Sequence, residues 1–178
     1  MKTITQKEEQ HAAACCSETK NRYICISEES EGTSPDTLFE TLPLAQKFQV
    51  KVIKISDGDT FVGLNRDNLQ IKFRIWGIDA PEKKQAFGTK AKDYLSALIF
   101  GDNIIVDVQK QDGWGRYIAY VYTLENKDVA LEMLNAGMAW HYTKYDQSEK
   151  YHNAEIKARN NKVGLWVDPR RIAPWDFR

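Results

Sequence analysis

The 178-residue chain predicts an α+β domain built on a closed five-stranded β-barrel with about three helices. Three observations lead there. Phe48 to Trp76 holds three β-branched or aromatic runs separated by short Asp/Gly/Asn turns, the pattern of an antiparallel meander. Two further runs of the same kind follow a helical segment. Closing the five strands on each other is the economical way to remove the exposed edges of so small a sheet.

The elements follow in order. Phe48, Val50, Val52, Ile53 and Ile55 alternate roughly and make a strand that stops at Asp57–Gly58–Asp59. Thr60–Phe61–Val62–Gly63–Leu64 is the second strand. After the turn Asn65–Arg66–Asp67–Asn68, the run from Gln70 to Trp76 alternates cleanly and is the third. Gly88–Thr89 opens a helix whose Ala91, Tyr94, Leu95, Leu98 and Ile99 recur at three-to-four spacing, and Gly101 closes it. Asn103–Val108 and Arg116–Tyr122 are the last two strands, joined through Gln111–Asp112–Gly113. Asp128 caps a short helix bearing Val129, Leu131, Met133 and Leu134 and ending at Gly137. A final helix spans Ser148 to about Lys162, with Tyr151, Ala154, Ile156 and Ala158 turned inward.

The body begins at residue 47. Residues 1–46 are an acidic leader with 4 Lys and Arg against 8 Asp and Glu, and they are expected to be largely disordered. Within them Tyr23, Ile24 and Ile26 suit at most one short edge strand. All three cysteines, Cys15, Cys16 and Cys25, lie in the leader, so no disulfide or thiolate chemistry is expected in the body. Residues 47–178 carry 21 Lys and Arg against 17 Asp and Glu, a net +4 hidden by the overall zero. So small an excess means that a polyanion must be held by locally placed cations. No stretch approaches the ~18–20 apolar residues of a membrane span. Met1–Gln10 is polar, and no apolar segment precedes Ala12–Ala13–Ala14–Cys15, so that string is read as tail and not as a processing site.

Three short motifs carry chemistry. Asp57–Gly58–Asp59–Thr60 is a hairpin turn that also presents carboxylates, and Asp59 suits a hard cation with Asp57 holding a water behind it. In Arg74–Ile75–Trp76–Gly77–Ile78–Asp79–Ala80–Pro81–Glu82, a guanidinium and two carboxylates leave the third strand together. Those are the parts phosphodiester hydrolysis needs: a cation on Asp79, a carboxylate at Glu82 to take a proton from water, and an arginine to fork onto phosphate oxygens. Gly113–Trp114–Gly115–Arg116 adds a second arginine beside a ring able to stack on a base or sugar. Each motif alone is an ordinary turn; their combination is specific. The histidines His11, His141 and His152 have no carboxylate or nucleophile at a persuasive spacing and receive no catalytic role.

These motifs, in this order and approximate spacing, resemble the thermonuclease (staphylococcal-nuclease-like) family over about Phe48 to Arg178, including Gly164–Leu165–Trp166 and Pro174–Trp175. The resemblance implies an OB-fold barrel and a calcium-dependent nuclease acting on DNA and RNA, leaving 3′-phosphate and 5′-hydroxyl ends. It implies Asp59, Asp79 and the backbone carbonyl of Ala80 as calcium ligands, with Asp57 close by. Glu82 matches the general base, and Arg74 and Arg116 match the phosphate-binding arginines. Ala80 stands where the best-known member has threonine, and Trp114 where it has a nucleotide-contacting tyrosine. The Glu82–Phe87 segment is several residues shorter. Lys83 and Lys84 remain there as candidate contacts to the substrate backbone, and Tyr142 or Tyr145 is the candidate for the nucleotide pocket; Trp140 is assigned to the core. A monomer outside the cytosol is expected, where calcium is abundant. The competing expectation, a non-catalytic OB-fold module that only binds nucleic acid or protein, predicts loss of the carboxylates and arginines retained here.

Overall fold

The computed structural model describes residues 47–178. The expected leader, its edge strand and its cysteines lie outside the described residues. Strands β1 (Lys47–Asp57), β2 (Thr60–Leu64) and β3 (Gln70–Ile75) form the meander, and β5 (Asn103–Gln111) and β6 (Tyr117–Thr123) form a hairpin. Between them come the two-residue strand β4 (Ile78–Asp79) and helix α1 (Gly88–Ile99). After β6 follow α2 (Val129–Asn135), β7 (Trp140–His141), α3 (Glu149–Asn160), a 3₁₀ turn over Gly164–Val167 and the short α4 (Pro174–Phe177).

The barrel closes in the order β1-β2-β3-β6-β5. All its pairings are antiparallel except β3 with β6, which run parallel with Arg74 opposite Ile118. The meander and the hairpin are local, whereas the parallel β3–β6 seam and the antiparallel β1–β5 seam join segments far apart in sequence and together shut the sheet.

The barrel interior is filled by the inward-facing alternate residues. Phe61 and Phe73 are wholly buried and stack with centroids 5.3 Å apart. Truncating either removes a large side chain from a dry core, at a cost of about 3–5 kcal/mol. The imperfect alternation of β1 has a local cause. Register shifts between Val52 and Lys54 and between Ile55 and Asp57 advance the phase, so that Val50, Val52 and Ile55 all turn inward while Lys54 does not. Helix α1 buries Ala91, Leu95 and Ile99, and α2 buries Val129, Ala130, Met133 and Leu134 in the same core. The expected cap is present: the Asp128 side chain accepts from the Leu131 amide.

One expected core position differs. Ile156 on α3 is 40% exposed, and Glu155 is buried in its place. The Glu155 carboxylate accepts from the His141 amide at 3.1 Å and pairs with Arg159, so a satisfied anion displaces an apolar residue from that face. Among the described residues no helix is long and apolar enough to cross a membrane.

Candidate active site

Backbone pairing converges on one end of the barrel. Thr60 on β2 lies opposite Arg74 on β3, and the Ile75 amide donates to the Asp59 carbonyl at 2.9 Å. The β1–β2 turn is therefore stapled beside Arg74. Beyond β3 the chain bends, and β4 pairs with β7, matching Asp79 with Trp140 and Ile78 with His141. This small ladder fixes Asp79 behind the turn. Gly58 is needed between the two aspartates, because a Cβ there would sit 2.7 Å from the Ala80 Cβ and 2.8 Å from the Ala91 Cβ. Only a residue without a side chain lets the turn pack on the Ala80 segment and α1. The same holds at Gly88, where an added Cβ would lie 2.0 Å from the Glu82 carbonyl oxygen.

Arg74 is the hub. Its Nη1 meets Asp59 Oδ2 and its Nη2 meets Asp79 Oδ1, each at 2.8 Å. Burial alone would pull its pKa down, but the Asp59 and Asp79 charges outweigh that and hold the guanidinium protonated. Asp59 Oδ1 accepts from the Thr60 hydroxyl, and its Oδ2 accepts from the Ala80 amide at 3.3 Å. Asp79 has no exposed surface, and its Oδ2 is buried with no hydrogen-bond partner. Its pKa is raised, first by burial and then by the Asp59 charge, against the opposing pull of Arg74. Asp57 is likewise raised by burial, partly offset by the Gly58 amide that it accepts from. Among the described residues no group of three or more His, Cys, Asp or Glu side chains is arranged as a metal cage.

A groove of about 580 Å³ opens over this cluster. Asp57, Asp59, Arg74, Ala80, Glu82, Trp114, Arg116, Tyr142 and Tyr145 all line it, whereas Asp79 does not and is instead buried against two lining residues, Arg74 and Arg178. Trp114 is 84% exposed. Tyr142 stacks on Trp175 with centroids 5.3 Å apart, and Tyr145 carries Lys110 over its ring at 4.3 Å. Lys83 and Lys84 are not brought to the groove. Both are exposed, and Lys84 lines a separate pocket of about 140 Å³ with Phe87, Arg170 and Arg171. Trp140 packs edge-on against Trp166 and Trp175.

Two groove residues escaped the sequence reading. Asp112 accepts from the Trp114 and Arg116 amides and from Arg116 Nε, so it shapes the β5–β6 turn and aims the arginine. Burial pushes the Asp112 carboxyl up, but the hydrogen bonds from Arg116 and Trp114 prevail and leave it below the usual range. The four-residue spacing of Asp112 and Arg116 was the available signal. Arg178 reaches both Asp79 and Glu82, and no local pattern could announce a contact across 96 and 99 residues.

Residues 72–168, more than half of the chain, match the family model described as Staphylococcal nuclease homologue. The chain belongs to this family. Its barrel is therefore an OB-fold. Similar proteins include an uncharacterized endonuclease of Haemophilus influenzae, 41% identical over 75% of this chain and 74% of its own length. A micrococcal nuclease of Shigella flexneri is 33% identical over 79% of this chain and 86% of its own. Protein ParB of Escherichia coli is 32% identical over 76% and 82%. The family match takes in Arg74, Asp79, Glu82 and Arg116, whereas the Asp57–Asp59 turn and Arg178 fall outside it.

Proposed function

We propose that this member of the staphylococcal-nuclease family is a calcium-dependent endonuclease that hydrolyses DNA and RNA, leaving 3′-phosphate and 5′-hydroxyl ends. The observation that carries the reading is the orphaned, buried Asp79 Oδ2 on a carboxylate that shares Arg74 with Asp59, next to a groove that Asp59, Arg74 and Arg116 line. A buried carboxylate oxygen without a donor is costly unless a cation or proton meets it. The donors at hand are carboxylate and carbonyl oxygens, which suit a hard cation that tolerates irregular geometry and keeps several waters. Asp59, Asp79 and the Ala80 carbonyl are the residues that would hold it, with Asp57 behind them. A divalent cation held by them would supply Lewis-acid polarisation of a phosphoryl oxygen and neutralisation of developing charge.

The chain's own residues supply the rest. Glu82, a third exposed in its side chain, stands at the groove wall where it can accept a proton from an attacking water. Arg74 is already oriented by two carboxylates and presents a fixed guanidinium to a phosphate. Arg116 approaches from the β5–β6 turn, aimed by Asp112, so the phosphate is gripped from strand β3 and from that turn. Water attack expels the 5′-oxygen. Trp114 and Tyr142 offer ring faces to the flanking nucleotide, a contact tolerant of base identity. The working unit of this reading is a monomer. Calcium use favours an extracytoplasmic site of action.

Digestion of plasmid and of RNA with calcium, against the same reactions in chelator, tests the proposal. Cleavage only with calcium is expected, with 5′ ends that accept label from a kinase directly and 3′ ends that support polymerase extension only after phosphatase treatment. Nucleic-acid binding without cleavage under either condition would instead establish the binding-only module.

A further inference from the structure

The groove holds a third guanidinium that this chemistry leaves unused. Arg178 donates from Nε to Glu82 Oε1 and from Nη2 to Asp79 Oδ1, each at 2.5 Å. Its segment is tied down on both sides of the groove. The Gln85 side-chain amide, on the loop after Glu82, donates to the Ile172 carbonyl. Ala173 and Pro174 are buried, and Trp175 stacks on Tyr142 while meeting Trp140 edge-on. The 172–178 segment thus bridges the Glu82 loop and the Tyr142 wall, and its last described side chain bridges two carboxylates that would otherwise repel.

We infer that Arg178 is a positioning residue of the active site: its guanidinium ties the Glu82 carboxylate to Asp79, fixing Glu82 beside the scissile phosphate while weakening the cation's grip on the groove. The inference rests on the nuclease reading above. Arg178 engages one Glu82 oxygen, and none of the described residues donates to the other, Oε2, which is left for a water. Without Arg178 the partly exposed Glu82 side chain has no described partner to hold it and is free to turn into solvent. The charges move the other way. Asp57, Asp59, Asp79 and Glu82 face Arg74 and Arg178, while Arg116 is paired with Asp112. Lys110 lines the same groove over the Tyr145 ring, and deleting Arg178 from this set makes the groove more negative and more attractive to a divalent ion. Arg178 is 43% exposed, so water screens its charge and keeps this gain small.

The two consequences have opposite signs, which a residue that merely supports the fold could not produce. In Arg178→Ala, calcium binding measured by titration calorimetry without nucleic acid is expected to tighten about threefold. On an oligonucleotide at saturating calcium, kcat is expected to fall about tenfold or more with KM within about twofold. Arg178→Lys restores the calcium affinity but only part of kcat, because an ammonium cannot fork between two carboxylates as Nε and Nη2 do. Should Arg178→Ala melt below the assay temperature, Arg178→Gln carries the same prediction. Calcium binding and kcat that both weaken, both improve or both stay unchanged overturn the role of Arg178. A wild-type protein that binds no calcium and cuts nothing refutes the proposed function instead.

Discussion

Arg74→Met is the sharpest probe of the site, because it removes a charge while keeping most of the side chain's length. The Arg74 side chain is 14% exposed, and its two partners are 6% and 0% exposed for Asp59 and Asp79. Deleting Arg74 leaves the buried Asp59 without an ion-pair partner and Asp79 with only the half-exposed Arg178, and the penalty is about 3–5 kcal/mol. For a domain of this size that loss is expected to lower Tm by roughly 10–20 °C, followed by far-ultraviolet circular dichroism in chelator. Two controls separate charge from packing. Calcium supplies the missing positive charge and is expected to narrow the gap, and Asp79→Asn in the same background removes the stranded anion and recovers part of the loss. A drop of less than about 3 °C in chelator, or a larger one that neither control moves, would refute the account of Arg74 as counter-ion to buried carboxylates.

Other outcomes follow from the same geometry. Glu82→Gln and Arg116→Ala are each expected to cut turnover by about two orders of magnitude or more with Tm within a few degrees of wild type, measured by initial rates of plasmid digestion. Trp114→Ala, at a position 84% exposed, is expected to leave stability within about 0.5 kcal/mol and to raise KM, since the ring packs little and meets substrate if it meets anything. Asp112→Asn tests the carboxyl whose pKa lies below its ordinary 3.8 in the folded protein. Its stabilising contribution is present above 3.8 and is lost as pH falls through the folded value. The variant is therefore expected to be less stable than wild type by about 1 kcal/mol or less at neutral pH, with melting curves that converge at strongly acid pH.

The barrel was legible because its signals are periodic. Val50, Ile71 and Phe73 stand between polar neighbours, and the turns between the strands are spelled in Asp, Gly and Asn. The site was legible where its residues cluster in sequence, as at Asp57–Asp59, Arg74–Glu82 and Trp114–Arg116. What escaped had no period to show. The β4–β7 ladder is two residues long on each side, too short for alternation, yet it fixes Asp79 in place. Glu155 reads as a solvent position on α3 and is buried because the His141 amide needs an acceptor there. Arg178 enters through packing of Trp175 on Tyr142, a contact between distant segments that neither one foretells. Lys83 and Lys84 show the converse: closeness in sequence to Glu82 did not bring them to the groove.

The parallel seam between β3 and β6 sets when this protein becomes chemically competent. Arg74 and Arg116 belong to opposite halves of the chain, and only the pairing of Phe73 with Tyr117 and Arg74 with Ile118 brings them to one opening. A nascent or partly refolded chain can complete its meander and its hairpin separately and still possess no cleft. The cleft therefore exists only in the closed barrel, and in an unclosed chain the Arg74 and Arg116 guanidinium groups have no common opening in which to meet one phosphate.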